Sequence, residues 1–369
     1  MNRKLITIIS IGLICFIADF IYEGFRSIMY IFVREAGGNI VQACTIWGLG
    51  DLTVLIGRIL GSITTILKTT PILEYVLGYI LTGSLIIPTT TLSINTITIS
   101  YIFERFGKGI RGPSRDIVIK LISKDVGKSF GIVEALDQAG ATLGPILMLL
   151  VMNSRDFLVK IFEIFSISYI ILILCLTYVI YRLHKFNVKS YVDVNVEHSR
   201  TISRRSILYC LGVLIISSTL FPIIGIQYMS LTSGNVYYGL IMFILSSIVS
   251  TIFSIPVGIF TKFRSSILIT CIIPTTSILS VIFYNNPIIV GILYGISLAI
   301  VEVWFRGYAI HVKDPKVYSV VSTGIFSGLF TISILFPYLL NFGYCVCILY
   351  VITMFIVGIS LIVRSILKF

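Results

Sequence analysis

The chain is short of charge. Of its 369 residues only 12% are Asp, Glu, Lys or Arg while 57% are hydrophobic, and its mean hydropathy is +1.03. Such values lie far outside those of soluble globular domains. Other familiar devices are missing too. There is no GxxxxGK[ST] loop to cradle the phosphates of ATP. The three histidines, His184, His198 and His311, form no HExxH or other ligand cluster, so nothing in the sequence points to a metal. The seven cysteines, at 15, 44, 175, 210, 271, 345 and 347, have neither zinc-like spacing nor the density of a disulfide framework. They read as small packing residues. With no nucleophile and base in a recognisable arrangement, the chain reads as no enzyme and as carrying no cofactor.

What fills the sequence instead is a succession of apolar runs, each long enough to cross about 30 Å of hydrocarbon. Twelve are expected, from 5–32 at the start to 343–364 at the end. The opening MNRKLITIISIGLICFIADF has the basic start and apolar run of a signal peptide. Polar Asp19, Glu23 and Arg26 follow with no small-residue cleavage site, so it reads as a retained first helix.

The excess of 28 basic over 16 acidic residues, formally +12, would suggest nucleic acid in a soluble chain. Its placement argues otherwise. With the N-terminus in the cytoplasm, the inner segments hold Arg3, Lys4, Lys68, Lys120, Lys124, Lys128, Arg182, Lys185, Lys189, Arg200, Arg204 and Arg205. They also hold Lys262, Arg264, Lys313, Lys316, Arg364 and Lys368, whereas the outer segments hold only Arg34, Arg155 and Lys160. This is the positive-inside asymmetry, and it predicts a multi-pass protein of the cell (plasma) membrane with both termini cytoplasmic. The long polar stretch at the midpoint divides the chain into an N-terminal six-helix bundle, 1–182, a central cytoplasmic loop, 183–205, and a C-terminal six-helix bundle, 206–369. Six-helix parallel repeats of this kind occur in secondary transporters.

Charge inside the runs is concentrated in the first half, above all in YIFERFGKGIRGPSRDIV, residues 101–118. At about 100° per residue, Glu104, Lys108, Arg111 and Arg115 share one helical stripe, with Arg105, Gly112 and Asp116 beside it. On the first helix Asp19, Glu23, Arg26 and Tyr30 share a face; the second adds Trp47, Asp51 and Arg58, and the fifth Glu134, Asp137 and Gln138. A charge facing lipid at mid-membrane costs about 2.5–3.5 kcal/mol on insertion scales, so these stripes must turn inward. Near balance of acids and bases predicts an ion-pair network rather than a bare anion pocket. Two uses of it stay open: a structural clamp, and a relay in which a buried carboxylate trades a proton against a basic partner. Gly107-Lys-Gly109-Ile-Arg-Gly112 matches GxGxxG, yet no βαβ unit surrounds it, and the glycines read as close-packing positions.

Arg105-Phe-Gly-Lys108-Gly109, followed by Pro113, Asp125 and Lys128, resembles the fourth-helix RxxQG pattern and acidic-basic loop of the major facilitator superfamily. Gly140-Ala-Thr-Leu-Gly144-Pro145 resembles that superfamily's fifth-helix GxxxGP motif, often found in antiporters. The chain departs from the family's GxxxDRxGR gate loop, with Thr65 where the acid belongs and Lys262 at the corresponding place in the second half.

The resemblance implies an all-α integral membrane protein, twelve transmembrane helices in two pseudo-symmetric six-helix bundles. It further implies a secondary active transporter of a small organic solute, working by alternating access as a monomer. The expected coupling is to protons, in efflux by antiport; alternatives are a proton symporter or facilitator for metabolite uptake, and a non-transporting membrane receptor or assembly protein. Proton coupling is assigned to Asp19, Asp51, Asp137, Glu134 and Arg105, with Arg105 as the switching cation. The substrate cavity is assigned to Glu23, Arg26, Tyr30, Trp47, Glu302, Trp304 and Arg306. The cytoplasmic gate is assigned to Glu104, Lys108, Arg111, Arg115 and Asp116, and helix packing to Gly140, Gly144 and Pro145. Small-molecule substrate, protons and the lipid bilayer are the expected partners.

Overall fold

A computed structural model describes residues 3–66, 71–123, 126–185, 203–232, 234–312 and 317–367. Lys68, Lys124, Asp125, His198, Lys313, Lys316, Lys368 and most of the central loop lie outside the described residues. The described residues are helical almost throughout and contain no strand. In chain order the passages are α1 (Arg3–Glu35), α2 (Ile40–Ile66) and α3 (Pro71–Ile80, prolonged by a 3₁₀ segment Leu81–Ile86 and by Ile87–Thr90). Next come α4 (Ile94–Ile122), α5 (Val126–Val151), α6 (Phe157–Lys185), the two-part α7 (Arg204–Ser217 and Ile223–Thr232) and α8 (Val236–Phe260). Then follow α9 (a 3₁₀ segment Arg264–Cys271 running into Ile272–Ile282), α10 (Pro287–Ala299 and the turns after it to Val312), α11 (Val317–Asn341) and α12 (Tyr344–Ile366).

By length and composition ten of these helices can cross a membrane. The other two passages fall short for visible reasons: α4 carries the charged stripe, and α7 is broken between Ser217 and Ile223. Outward-facing apolar side chains such as Ile167, Ile170, Ile171 and Leu174 on α6 are what a lipid-facing surface requires.

Contacts divide the chain into two compact units, one of Met1–Gly37 and Thr53–Glu197, the other of Gly38–Leu52 and His198–Phe369. The first half of α2 thus belongs to the second unit, where the Tyr228 hydroxyl donates to the Gly38 carbonyl at 2.6 Å.

Within the first unit the helices meet at glycines. Gly37, at φ 77°, supplies the left-handed turn after α1 that a side chain would resist. Gly140 and Gly144 of α5 press on the Phe16 and Phe20 carbonyls of α1 with no room for a Cβ. A Cβ at Gly109 of α4 would lie 2.5 Å from the Val54 carbonyl and 2.9 Å from the Gly57 Cα of α2. On another side of α4, a Cβ at Gly107 would lie 2.7 Å from the Gly78 carbonyl of α3, whereas Gly112 has nothing within 4 Å. So two of the three glycines of the GxGxxG string are packing surfaces, as small residues are in membranes. The second unit repeats the device: Gly324 and Gly328 of α11 sit on the Cys210 and Leu214 carbonyls of α7.

α4 is anchored at its start by a reciprocal cap, the Ser93 hydroxyl accepting from Thr96 N–H and Ser93 N–H donating to the Thr96 hydroxyl, each at 3.1 Å. Below the charged stripe a dry core of Ile8, Ile11, Ile14, Tyr75, Val118, Ile119, Leu172 and Leu176 ties α1, α3, α4 and α6 together. Replacing Gly109 by Val is expected to lower stability in detergent by about 1–3 kcal/mol through overpacking. Gly112→Ala, in open space, is expected to leave it unchanged or raise it by up to about 1 kcal/mol. Thermal melting of the two purified variants checks this, and equal losses would refute the packing role.

Candidate functional site

The charged stripe of α4 meets the charged face of α1 near the midpoint of both helices. Asp19, buried, lies between two cations, its carboxylate oxygens 3.8 Å from Lys108 Nζ and 3.8 Å from Arg111 Nη2. Both distances suit ion pairing and exceed hydrogen-bond length. Arg111 is held on three other sides. Its Nη2 is 3.6 Å from Glu104 Oε1, and its Nη1 donates to the Thr82 hydroxyl at 2.9 Å and to the Gly78 carbonyl at 3.3 Å. Its guanidinium also stands 4.7 Å from the centre of the Tyr79 ring.

Lys108 donates to the Tyr22 hydroxyl and lies 3.7 Å from the centre of that ring. Arg26 and Arg105 flank the same ring at 5.8 and 5.9 Å. One turn further along α4, Arg115 reaches Asp137 of α5 at 3.7 Å and the adjacent Asp116 at 3.2 Å. Beside it the Ser114 hydroxyl donates to Glu74 of α3 at 2.6 Å. At an effective dielectric constant near 20, each contact at about 4 Å is worth about 4 kcal/mol before desolvation is subtracted. The network therefore offsets part of the cost of holding these charges in hydrocarbon.

The structure thus draws one linked cluster from residues that sequence reasoning had assigned to two tasks. Asp19 and Asp137, read as proton carriers, pair with Lys108, Arg111 and Arg115, read as gate cations. Glu104 and Asp116 join them. Arg105, read as the switching cation, is buried against the rings of Tyr22 and Tyr101. Arg26 Nη1 donates to both carboxylate oxygens of Glu23, at 2.8 and 3.0 Å. Glu134 is exposed and accepts from the Gln138 amide at 3.1 Å. Tyr30 is fully buried in the first unit, while Trp47 and Asp51, both buried, lie in the part of α2 that belongs to the second unit. Trp304 is fully buried, its Nε1 donating to the Ser266 hydroxyl at 3.0 Å. Glu302 is exposed, Arg306 half-buried, and no ion pair joins them. Tyr22, Thr82 and Glu74 were missed by sequence reasoning. Tyr22 and Glu74 had a signal, the first on the face of Asp19 and the second a lone acid in an apolar run; Thr82 had none.

No protein-family profile matches the chain. An uncharacterised MFS-type transporter of Methanocaldococcus jannaschii is 30% identical over 144 residues, 38% of this chain and 36% of that one. An uncharacterised protein of Mycobacterium tuberculosis is 28% identical over 141 residues, 37% of this chain and 34% of that one. The matched stretches therefore span only about a third of these relatives. Similarity of structure is wider. The nucleoside transporter NupG superposes with a TM-score of 0.71 at 11% identity over 100% of both chains. A peptide transporter POT, solved with alafosfalin, gives 0.72 at 11% identity over 97% of this chain and 94% of that one. The chain has the major facilitator fold, an all-α membrane architecture of twelve helices in two six-helix bundles, as the motifs on α4 and α5 implied. The solved proteins that share it here are transporters, not enzymes.

Both carboxylate oxygens of Glu104 are buried without a hydrogen bond, and Arg111 is its ion-pair partner. Arg111→Met is therefore expected to destabilise the protein by about 3–5 kcal/mol, the cost of orphaning a buried charge. Glu104→Gln in the same background should recover most of it. Arg115→Met should cost less, because the side chains of its partners Asp116 and Asp137 are 50% and 16% exposed. Unfolding in detergent measures all three, and a neutral Arg111→Met would overturn the assignment.

Proposed function

We propose that the protein is a secondary active transporter of a small organic solute, working by alternating access and coupled to protons. In this reading the chain consists of two six-helix halves, 1–182 and 206–369, joined by the cytoplasmic loop 183–205. The chain sits as a monomer in the plasma membrane with both termini in the cytoplasm, and moves its solute outward by antiport. The fold shared with nucleoside and peptide transporters supports transport. The GxxxGP string Gly140–Pro145 supports antiport by resemblance.

One observation carries the proton reading: Asp19 is buried at mid-helix and held by two cations at 3.8 Å, each of which has other partners. A proton arriving on Asp19 cancels its charge without dismantling the rest, since Arg111 keeps Glu104, Thr82 and Gly78 and Lys108 keeps Tyr22. The attraction between α1 and α4 then weakens at one point, which is what a switch between two packings requires. Asp19 is the proton carrier, Lys108 and Arg111 are its switching partners, and Asp137 with Arg115 forms a second station. Asp51, Glu134 and Arg105 remain with the relay as further polar groups of the pathway, and Glu302 and Arg306 with the substrate site.

The test is flux in reconstituted vesicles, across a panel of metabolites and drugs, with pH gradients imposed in either direction. Antiport predicts acceleration by an opposing gradient, symport by a parallel one. Asp19→Asn is expected to reduce gradient-driven flux by at least about tenfold, equivalent to about 1.4 kcal/mol. If Asp19→Asn, Asp51→Asn and Asp137→Asn all retain wild-type coupling, the relay is wrong.

A further inference from the structure

The second half of the chain lacks the balance of charge found in the first. From residue 203 on, nine Lys and Arg stand against two acids, Glu302 and Asp314. Helices α7, α8, α9, α11 and α12 contain no Asp or Glu at all. Three of their cations, Arg204 and Arg205 of α7 and Arg364 of α12, are exposed. None of the three makes an ion pair, hydrogen bond or ring contact with another described residue.

Packing brings these three to the same end of one helix pair. The first part of α7 meets α12 backbone to backbone at two glycines. A Cβ on Gly212 would lie 2.9 Å from the Gly358 carbonyl, and one on Gly358 would lie 3.1 Å from the Gly212 carbonyl. Gly212 also faces Ile362 and Gly358 faces Ile216, so the two helices run antiparallel. Arg205 stands seven residues before Gly212, and Arg364 six after Gly358. At a rise of about 1.5 Å per residue they lie about 10.5 and 9 Å from the glycine contact, on the same side of it, with Arg204 one residue further.

Each helix presents an apolar line that ends in arginine. Arg204, Ile207 and Leu211 share one face of α7, and Val357 and Arg364 share one face of α12; all five are exposed. Exposed aliphatic side chains on a membrane helix lie against acyl chains, so the arginines at the end of each line stand where headgroups begin. The anion met at that level is lipid phosphate. Guanidinium forks bind phosphate oxygens in pairs. With no acid on either helix, the ammonium of a zwitterionic headgroup would find repulsion there and no acceptor.

We propose that this end of α7 and α12 binds an anionic phospholipid. Arg204, Arg205 and Arg364 hold its phosphate diester, and its acyl chains lie along Ile207, Leu211 and Val357. The lipid belongs to the leaflet on the side proposed above to be cytoplasmic. The site is independent of the transported solute and stands whatever the outcome of the flux measurements.

The experiment titrates the full-length protein, delipidated in an uncharged detergent, with phosphatidylglycerol or phosphatidylcholine of equal chain length, and reads thermal stabilisation. Wild type is expected to prefer phosphatidylglycerol by at least about 10-fold. Two double variants then remove the same charge from different places. Arg204→Gln/Arg364→Gln should reduce the preference to about 3-fold or less. Lys120→Gln/Lys185→Gln, which neutralises two exposed cations of the first unit, should leave it within about 2-fold of wild type. Each value is a ratio between two lipids in one variant, so a general loss of stability cancels. Absence of the preference in wild type overturns the proposal, as does an equal loss in both double variants, which would make the effect one of total charge. Glycerol phosphate and hexaglutamate serve as soluble anions. Stabilisation by either that matches the lipid and is lost in Arg204→Gln/Arg364→Gln also overturns it, the first assigning the arginines to a free phosphate and the second to an acidic protein.

Discussion

Ionised side chains in hydrocarbon must be answered by opposite charge or by hydrogen bonds, and the first unit is organised by that requirement. Arg111 carries most of it. One guanidinium meets Asp19 from α1, Glu104 from its own helix, and Thr82 and the Gly78 carbonyl from α3. Its planar fork of donors can serve several acceptors in fixed directions, which a lysine ammonium cannot do. Lys108, beside it, meets Asp19 and Tyr22, and its looser geometry suits a partner that has to let go. Stability and mobility are thus divided between two cations one turn apart on the same stripe.

That arrangement depends on backbone proximity as well as on charge. A Cβ on Gly78 would lie 2.5 Å from the Arg111 Cβ, so the absence of a side chain there lets α4 lie close enough for Arg111 to reach across α3. Gly107 and Gly109 extend the close approach to both sides of α4. Without these glycines the apolar core beneath could still form, but the acceptors on α3 would recede from Arg111. Lipid supplies no hydrophobic drive between helices, so packing at small residues is what sets these distances.

The sequence announced the helices, their number and the burial of the charged stripes, because membrane thickness and the cost of charge are local, one-dimensional constraints. It marked Gly140 and Gly144, four apart on one face, and Gly107 and Gly109, which lie on different sides of α4, as small residues where helices can approach closely. Pairing was less legible. Arg105 matched a motif, whereas the cations that reach Asp19 are Lys108 and Arg111. The choice among neighbouring basic residues on one stripe turns on rotation and depth of α4 against α1, and those follow from three-dimensional packing. Thr82 was invisible for the same reason: a threonine in an apolar run is unremarkable until an arginine from another helix arrives at 2.9 Å.

The i, i+4 rule failed at Glu302 and Arg306, and the failure is informative. The rule assumes α-helical geometry, and the backbone bond from Phe305 to Ile300 removes that assumption for one turn. No residue in IVEVW compels a π turn; the buried Trp304 and its bond to Ser266, together with Tyr209 on the Phe305 carbonyl, hold it from outside the segment. A pair left to itself would regain about 0.3–0.5 kcal/mol by closing in ordinary α geometry. The stacked Trp304–Tyr308 pair and the hydrogen bonds of Trp304 to Ser266 and of Tyr209 to the Phe305 carbonyl exceed that small gain in scale. In the first unit Asp19 and Glu104 are met by cations, whereas in the second no ion pair joins Glu302 and Arg306.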